Sequence, residues 1–377
     1  MPPRKLSRPR KLSYSKASLS SIPFSYASVS VGSPSTPLPE KLSAISGAGF
    51  TAIELGFPDL LSFSSSHLGK EVKEDDFDSL CQAGKEVKRL CGEKGLRIMM
   101  LQPFSNFEGW EDGSKEREDA FERAAGWVRI MEAVGTDMLQ VGSTDSPSPP
   151  TTSSFNRLAM DLASLADLLA PHSFRLAYEN WCWATHAPTW SSVWQIVQAA
   201  NRPNIGLCLD TFQTICGEYG DPTTPSTLIQ SAGLQQKLEH NLTASLQALQ
   251  DTVPADKIYV LQLSDAYRPP APFKADGENG EGNEEPPGGG GSKIRARAKW
   301  SHDYRPYLYS GGAFTPQCVE MCKAVLGTGF RGWFSVEVFD GMNEGGKKDM
   351  KAFCQGAMES CRTLIGECAG EVSGVSE

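Results

Sequence analysis

Eight short apolar segments, separated by helical patterns, constrain the fold of this chain more than any other feature. They lie at 25–31, 51–57, 96–102, 137–143, 174–180, 204–210, 257–265 and 332–340. Each is nearly continuous in apolar residues, as in strands that are buried on both faces of a parallel sheet. Helical patterns such as 78–95 and 121–135 separate them, and both of these end in a glycine. Eight strand–helix units in one chain of 377 residues predict a (β/α)8 barrel, the TIM barrel.

Two low-complexity segments border or interrupt the predicted barrel. Residues 1–22 are rich in serine and basic residues and contain no acidic residue, so we expect a disordered tail, with a transit peptide or a nuclear signal as the alternative. Residues 274–293 are rich in glycine and glutamate and hold no large hydrophobic residue, which predicts a flexible insertion between the seventh and eighth strands. We therefore expect a single catalytic domain over residues 23–370.

Charge and motifs exclude several classes of function. The chain carries 36 basic and 45 acidic residues, a formal net charge of −9, which argues against a nucleic-acid partner. It has no apolar run of membrane-spanning length and no signal-peptide core, so we expect no membrane partner and a cytoplasmic location. Neither a GxGxxG after a strand nor a P-loop is present, which removes the usual nucleotide signals. The sequence carries no indication of oligomeric state.

Polar side chains stand at the predicted strand ends. Catalytic groups of such barrels lie at the C-terminal ends of the strands, and here those ends carry Glu54, Gln102, Glu179, Asp210, Gln262 and Glu337. The last four belong to consecutive strands, five to eight. Three carboxylates and one amide that converge would repel one another without a cation, so we predict a metal site; the alternative is local capping, as at Asp210 before a helix. An all-oxygen ligand set favours Mg²⁺ or Mn²⁺, with Co²⁺ as a further alternative.

Several segments resemble a known enzyme family. The segments are "LQPFSNFEGW", "YENWCWATHAPTW", "NRPNIGLCLDTF", "KIYVLQLSDA" and "GFRGWFSVEVFD". They resemble the fungal 3-dehydroshikimate dehydratases of quinate catabolism, which are xylose isomerase-like barrels. The resemblance implies a divalent metal ion held by Glu179, Asp210, Gln262 and Glu337. It also implies a small anionic substrate, 3-dehydroshikimate, which loses water to give protocatechuate.

The resemblance and the strand ends together suggest how the substrate would be bound. The segment "KWSHDYRPY", residues 299–307, resembles a loop of the family in which Ser301 and Arg305 face the substrate. A guanidinium suits the substrate carboxylate because it forms two parallel hydrogen bonds. The basic residues around this loop either steer the anionic substrate or are simply solvated; they are Lys293, Arg295, Arg297 and Lys299. The predicted substrate contacts are Arg305, Ser301, Gln102, Trp181 and Phe104.

The proton-transfer group is left open by the sequence. Many bacterial members of the family have histidines where this chain has Trp181 and Gln213, and His302 stands where the fungal relatives have arginine. Catalysis needs a group of near-neutral pKa at the catalytic face, and His186 and His302 both fall in loops there. The candidates are therefore His302, His186 and Gln213.

Three other functions remain as alternatives. A keto-sugar isomerase or epimerase of the same barrel would use two glutamates, and Glu179 and Glu337 are suitably placed for that. An endonuclease-IV-like enzyme would need a histidine-rich zinc cluster and a basic face, which five scattered histidines and a charge of −9 do not supply. A non-catalytic relative would keep the barrel without the chemistry.

Overall fold

A closed barrel of eight parallel strands forms the centre of the computed structural model, which describes residues 16–148, 150–230, 235–277, 282–284 and 293–370. The strands are β1 (Phe24–Ala27), β2 (Ala52–Gly56), β3 (Arg97–Phe104), β4 (Met138–Gly142), β5 (Arg175–Glu179), β6 (Ile205–Asp210), β7 (Ile258–Leu263) and β8 (Trp333–Val336). Each strand pairs with the next, and β8 closes the barrel on β1. All eight predicted segments contain a strand, so the (β/α)8 prediction is confirmed.

Helices follow the strands and surround the barrel. The described helices are α1 (Lys16–Leu19), α2 (Leu38–Gly47), α3 (Phe57–Leu68), α4 (Phe77–Glu93), α5 (Lys115–Val134), α6 (Phe155–Leu169), α7 (Trp190–Ala200), α8 (Thr211–Glu218), α9 (Gln235–Thr252), α10 (Ala296–Asp303), α11 (Thr315–Gly327) and α12 (Met350–Cys368). The predicted helical patterns at 78–95 and 121–135 correspond to α4 and α5. Gly135 ends α5 in the left-handed region at φ 75°, where glycine is favoured.

Alternation along the strands positions the site. Side chains two residues apart point to the same face of a strand. The residues two positions before Glu54, Glu179, Asp210 and Gln262 are buried together with three methionines in a cluster separate from the main core; this inner cluster includes Ala52, Met99, Met100, Met138, Ala177, Cys208 and Val260. The polar side chains therefore stand on the inner face of the barrel, one layer nearer its C-terminal end.

The two predicted low-complexity segments are only partly described. Residues 1–15 of the predicted tail lie outside the described residues, but α1 contacts α12, and Leu19 and Ile22 are buried. The predicted boundary at residue 22 is therefore too late, because these apolar side chains already join the core. Of the predicted insertion, 278–281 and 285–292 lie outside the described residues; Asn283–Glu284 pairs antiparallel with Lys293–Ile294. The flexibility of the insertion stays a prediction.

None of the helices in the described part of the chain combines the length and the apolar character that crossing a bilayer requires.

Candidate active site

Three buried carboxylates converge at the C-terminal end of the barrel. Glu179 ends β5, Asp210 ends β6 and Glu337 follows β8. Among the described residues, each offers one oxygen to a group in which these atoms lie within 4.8 Å of one another. Three of the four predicted metal ligands are thus brought together by the paired strands β5 and β6 and by β8, which β7 separates from β6.

Gln262, the fourth predicted ligand, lies beside this group in a network of amides and carboxylates. It is fully buried and stands opposite Asp210 in the register of β6 and β7. Its Nε2 donates to Glu54 Oε2 at 2.9 Å, and its Oε1 accepts from Cys208 Sγ at 3.2 Å. Gln102 Nε2 donates both to Glu54 Oε2 at 3.3 Å and to Glu337 Oε1 at 2.8 Å. The predicted substrate contact Gln102 therefore holds the carboxylate of a predicted ligand.

The guanidinium of Arg305 lies within the acidic group. It bonds to Asp210 Oδ2 and, at 2.8 Å, to Glu337 Oε2. Its Nε donates to Ser264 Oγ at 2.7 Å, and its Nη1 reaches Ser301 Oγ at 3.4 Å. We expected Arg305 and Ser301 to face the substrate; in this structure the two side chains contact each other, and Arg305 balances the charge of two predicted ligands.

One guanidinium does not balance the four carboxylates buried here, which include Glu54. Burial and the Glu337 carboxylate raise the pKa of Glu54 to about 8. Burial raises the pKa of Asp210 to about 7, although Arg305 opposes this shift. Burial and the charges of Glu337 and Asp210 hold the pKa of Glu179 well above its ordinary value. The site carries an excess of negative charge that further positive charge would relieve.

The residues present fit a divalent cation. Glu179 Oε2 accepts a hydrogen bond from Gln140, but Glu179 Oε1 is buried and finds no hydrogen-bond partner among the described residues. A buried carboxylate oxygen without a donor is costly, whereas a cation would satisfy it. The donor set is all oxygen, which suits hard cations such as Mg²⁺ or Mn²⁺.

An aromatic wall adjoins the carboxylates. Trp181, two residues after Glu179, stacks on Trp183 with ring centroids 5.2 Å apart. The Trp183 ring meets the edge of His302 at 5.7 Å, and His302 also lies 6.4 Å from the Phe339 ring. His302 is exposed on α10, close to Ser301 and Arg305. The aromatic side chains therefore place the solvent-accessible imidazole of His302 beside the acidic site.

The sequence of this chain matches a known protein family. A model of the family described as xylose isomerase-like TIM barrel matches residues 42–355, most of the chain. The chain belongs to the xylose isomerase-like TIM barrels. A 3-dehydroshikimate dehydratase of Neurospora crassa is 31% identical over 313 residues, which are 80% of this chain and 81% of that protein. The resemblance to the fungal dehydratases is confirmed.

More distant similarities extend to proteins of other lengths and to solved structures of the same fold. A 3-dehydroshikimate dehydratase of Pseudomonas aeruginosa is 29% identical over 316 residues, 83% of this chain but only 38% of the relative. A solved fusion of a xylose isomerase-like TIM barrel with a 4-hydroxyphenylpyruvate dioxygenase has a TM-score of 0.66 at 24% identity, covering 92% of this chain and 43% of that one. The IOLI protein, solved with a bound zinc atom, has a TM-score of 0.60 at 16% identity and covers 94% of this chain and 100% of that one. The last two comparisons show the fold alone.

Three predicted site residues of this family member make contacts of a structural kind. Gln213 is buried, and its Oε1 accepts from the Cys182 backbone N–H at 2.9 Å, which ties α8 to the loop after β5. His186 is half-buried with its Nε2 2.9 Å from Thr151 Oγ1, and burial lowers its pKa. Phe104 is fully buried against Trp127 of α5. The register of β3 against β4 shifts between Leu101 and Phe104, which turns this ring towards α5; its contact with the substrate stays a prediction.

The basic residues around α10 also have structural contacts. Arg295 donates to the Trp183 carbonyl and to Thr185 Oγ1, and Arg297 donates to the carbonyls of Cys216 and Gly220. These two guanidinium groups fasten α10 to the loop after β5 and to the end of α8. Steering of the anionic substrate by these residues stays a prediction.

Gln140 and Glu54 belong to the site, although the sequence alone assigns neither of them a role. Gln140 was not proposed, although it is the one polar side chain inside the apolar run of β4 and donates to Glu179. Glu54 had no assigned role, although it joins Gln102 and Gln262. A polar residue within a strand that is buried on both faces was the signal in each case.

Proposed function

We propose that this chain converts 3-dehydroshikimate to protocatechuate, with loss of water, and that a divalent metal ion is required. The observation that carries the proposal is the group formed by Glu179, Asp210 and Glu337 in a chain that is 31% identical to a fungal 3-dehydroshikimate dehydratase. The acidic net charge of −9 supports a small-molecule substrate over a nucleic acid. A cytoplasmic location stays a prediction.

Glu179, Asp210 and Glu337 would hold the ion, and Gln262 would add an amide oxygen. The all-oxygen set supports Mg²⁺ or Mn²⁺, with Co²⁺ as an alternative. When bound, such an ion supplies Lewis-acid stabilisation of the negative charge that develops on a carbonyl oxygen.

The chain's own residues must move protons and exclude water. In the dehydration, a proton leaves the carbon beside the ketone, and the hydroxyl of the next carbon departs with a proton as water. We assign the proton transfer to His302, because its imidazole is exposed on α10 beside Trp183, whereas the imidazole of His186 is half-buried against Thr151. The stacked Trp181 and Trp183 rings would shield the reacting atoms from solvent.

Arg305 orients the acidic side chains. It holds Asp210 and Glu337 through one guanidinium, while Ser264 fixes its Nε. Its direct contact with the substrate carboxylate, and that of Ser301, stay predictions.

The test is protocatechuate absorbance from 3-dehydroshikimate, using EDTA-stripped protein with and without Mg²⁺ or Mn²⁺. We expect turnover to return with metal and to fall by at least about 100-fold in Glu179→Gln, because even residues behind a metal ligand contribute 10–100-fold. The matched control is Glu108→Gln, a fully buried glutamate that accepts from Tyr178 and Thr144. Turnover without metal, or equal turnover in both variants, would contradict the proposal. Turnover only on ketoses would move the assignment to an isomerase.

A further inference from the structure

Glu54 is a buried carboxylate beside the predicted ligands that the proposed reaction does not use. It lies in β2, with no measurable exposure, on the same inner face as the acidic group. Its Oε2 accepts from Gln262 Nε2 at 2.9 Å and from Gln102 Nε2 at 3.3 Å. Both glutamine amides thus converge on one oxygen of Glu54.

This contact fixes the orientation of the Gln262 amide. Glu54 Oε2 is the acceptor in this contact, so the Gln262 amide that faces it presents its NH₂ group. With Nε2 turned to Glu54, the Oε1 of Gln262 points away from Glu54, to the side where it accepts from Cys208 Sγ. The opposite orientation would set two acceptor oxygens against each other. An amide oxygen has two lone pairs, so Gln262 Oε1 can accept from Cys208 Sγ with one and keep the other for a cation, whereas Gln262 Nε2 is engaged by Glu54.

The second contact extends the same effect to a carboxylate ligand. Gln102 Nε2 donates to Glu54 and, at 2.8 Å, to Glu337 Oε1. Because this NH₂ group bridges the two carboxylates, the position of the Glu337 side chain depends on Glu54 through Gln102. One residue of β2 thus reaches the predicted ligand within β7 and the one that follows β8.

We propose that Glu54 is a positioning residue of the metal site: it orients Gln262 and Gln102 so that the site offers the Gln262 oxygen and a fixed Glu337 carboxylate to a divalent cation. The inference rests on the metal site of the proposed function. It differs from a purely electrostatic role, in which any negative charge at this position would strengthen cation binding equally.

The experiment measures Mn²⁺ affinity by electron paramagnetic resonance on the full-length, metal-stripped protein, without substrate. Glu54→Gln removes the charge, and Glu54→Asp keeps the charge but shortens the side chain so that it no longer reaches both amides. We expect both variants to bind Mn²⁺ about 10–100-fold more weakly than the wild type, as for other residues behind a metal ligand. Glu108→Gln is the control, since it neutralises an equally buried glutamate, and its affinity should stay within about twofold.

A double-mutant cycle identifies the route of the effect. If Glu54 acts through Gln262, Glu54→Gln should weaken Mn²⁺ binding much less in a Gln262→Met background than in the wild type. Wild-type affinity in Glu54→Asp would overturn the proposal in favour of charge alone. Unchanged affinity in Glu54→Gln, or full additivity with Gln262→Met, would overturn it as well.

A second measurement covers the case in which the Glu54 variants do not fold. A crystal structure of the Mn²⁺-loaded wild type should show Gln262 Oε1 on the metal and Gln262 Nε2 on Glu54, and a ligand set without Gln262 would overturn the proposal. The readouts separate its failure from that of the proposed function: tight Mn²⁺ binding that is sensitive to Glu54, without turnover of 3-dehydroshikimate, would leave the positioning role standing and reject the dehydratase. Absence of Mn²⁺ binding in the wild type would reject the metal site itself.

Discussion

At the scale of single residues, Arg305 supplies the positive charge that pairs with Asp210 and Glu337. Replacing it by methionine leaves Asp210 and Glu337 buried without their cation. We expect the metal-free Arg305→Met protein to lose about 3 kcal/mol of unfolding free energy at pH 8, the cost of breaking a buried ion pair on one side. The loss should be smaller at pH 6. The pKa of Asp210 is already raised to about 7 with Arg305 present and rises further without it. At pH 6 the folded variant therefore holds a proton on Asp210, which removes one of the two unpaired charges. Urea unfolding at both pH values measures this.

Lys41→Met is the matched control for that prediction. Lys41 and Asp59 form another buried ion pair, with an N–O distance of 2.7 Å. Both variants should be destabilised, and Mn²⁺ should stabilise both because both keep the carboxylate ligands. The gain should be larger in Arg305→Met, because there the cation also replaces the missing positive charge. Equal responses of the two variants to Mn²⁺ would show that Arg305 has no special relation to the metal site.

Single residues were predictable where the polarity pattern alone placed them. Glu179, Asp210 and Glu337 end or follow apolar runs, and a parallel barrel brings such ends together. The packing of Phe104 against α5 could not be predicted, because the shift in strand register that turns its ring outward leaves no mark in the sequence. The pairing of Arg305 with the acids could not be predicted either, since it depends on how a short strand, Tyr304–Arg305, pairs with Phe339–Asp340.

At the scale of elements, α10 is held over the site by arginine side chains. Arg297 donates to the Cys216 carbonyl at 2.9 Å and to the Gly220 carbonyl at 3.0 Å. We expect Arg297→Met to destabilise the protein by about 2 kcal/mol, because two carbonyls lose a charged donor. It should also lower kcat/KM, because α10 carries Ser301 and His302. Amide hydrogen exchange in residues 296–303 should accelerate with it.

Lys299→Met tests whether the position or merely the charge of these residues matters. Lys299 lies on the same helix and donates to the Glu284 carbonyl in a solvent-exposed contact. Its loss should change stability by no more than about 0.5 kcal/mol. Identical exchange rates for α10 in the two variants would mean that Arg297 does not fasten the helix.

Elements were predicted more reliably than their attachments. Continuous apolar runs and terminal glycines marked the strands and the ends of α4 and α5, because burial on both faces and the left-handed helix cap impose local composition. The sequence of α10 is nearly all polar or small, so it has no apolar stripe to indicate which face is covered. Its position instead depends on carbonyls of distant loops, which no local pattern encodes.

At the scale of the whole molecule, the barrel makes one site from residues that are far apart in the chain. Gln102 and Glu337 are separated by 235 positions and share a hydrogen bond. Closure of β8 on β1 brings Glu54 of β2 near Gln262 of β7. The acidic site is therefore built from strands around most of the barrel. The function therefore depends on the closed barrel more than on any one loop.

The insertion between β7 and β8 should be dispensable for this closed barrel. Glu284 stands opposite Lys293 in an antiparallel pair, so residues 285–292 can be replaced by Asn-Gly, which makes a two-residue hairpin turn. Shortening the connection fourfold should stabilise the protein by about 1 kcal/mol through lower loop entropy, and kcat/KM should be unchanged. Urea unfolding and protocatechuate formation measure the two effects, with a scrambled 285–292 as the control for length. Lost turnover in a variant that folds normally would mean that these residues reach the active site, and the predicted insertion would instead be part of the catalytic machinery.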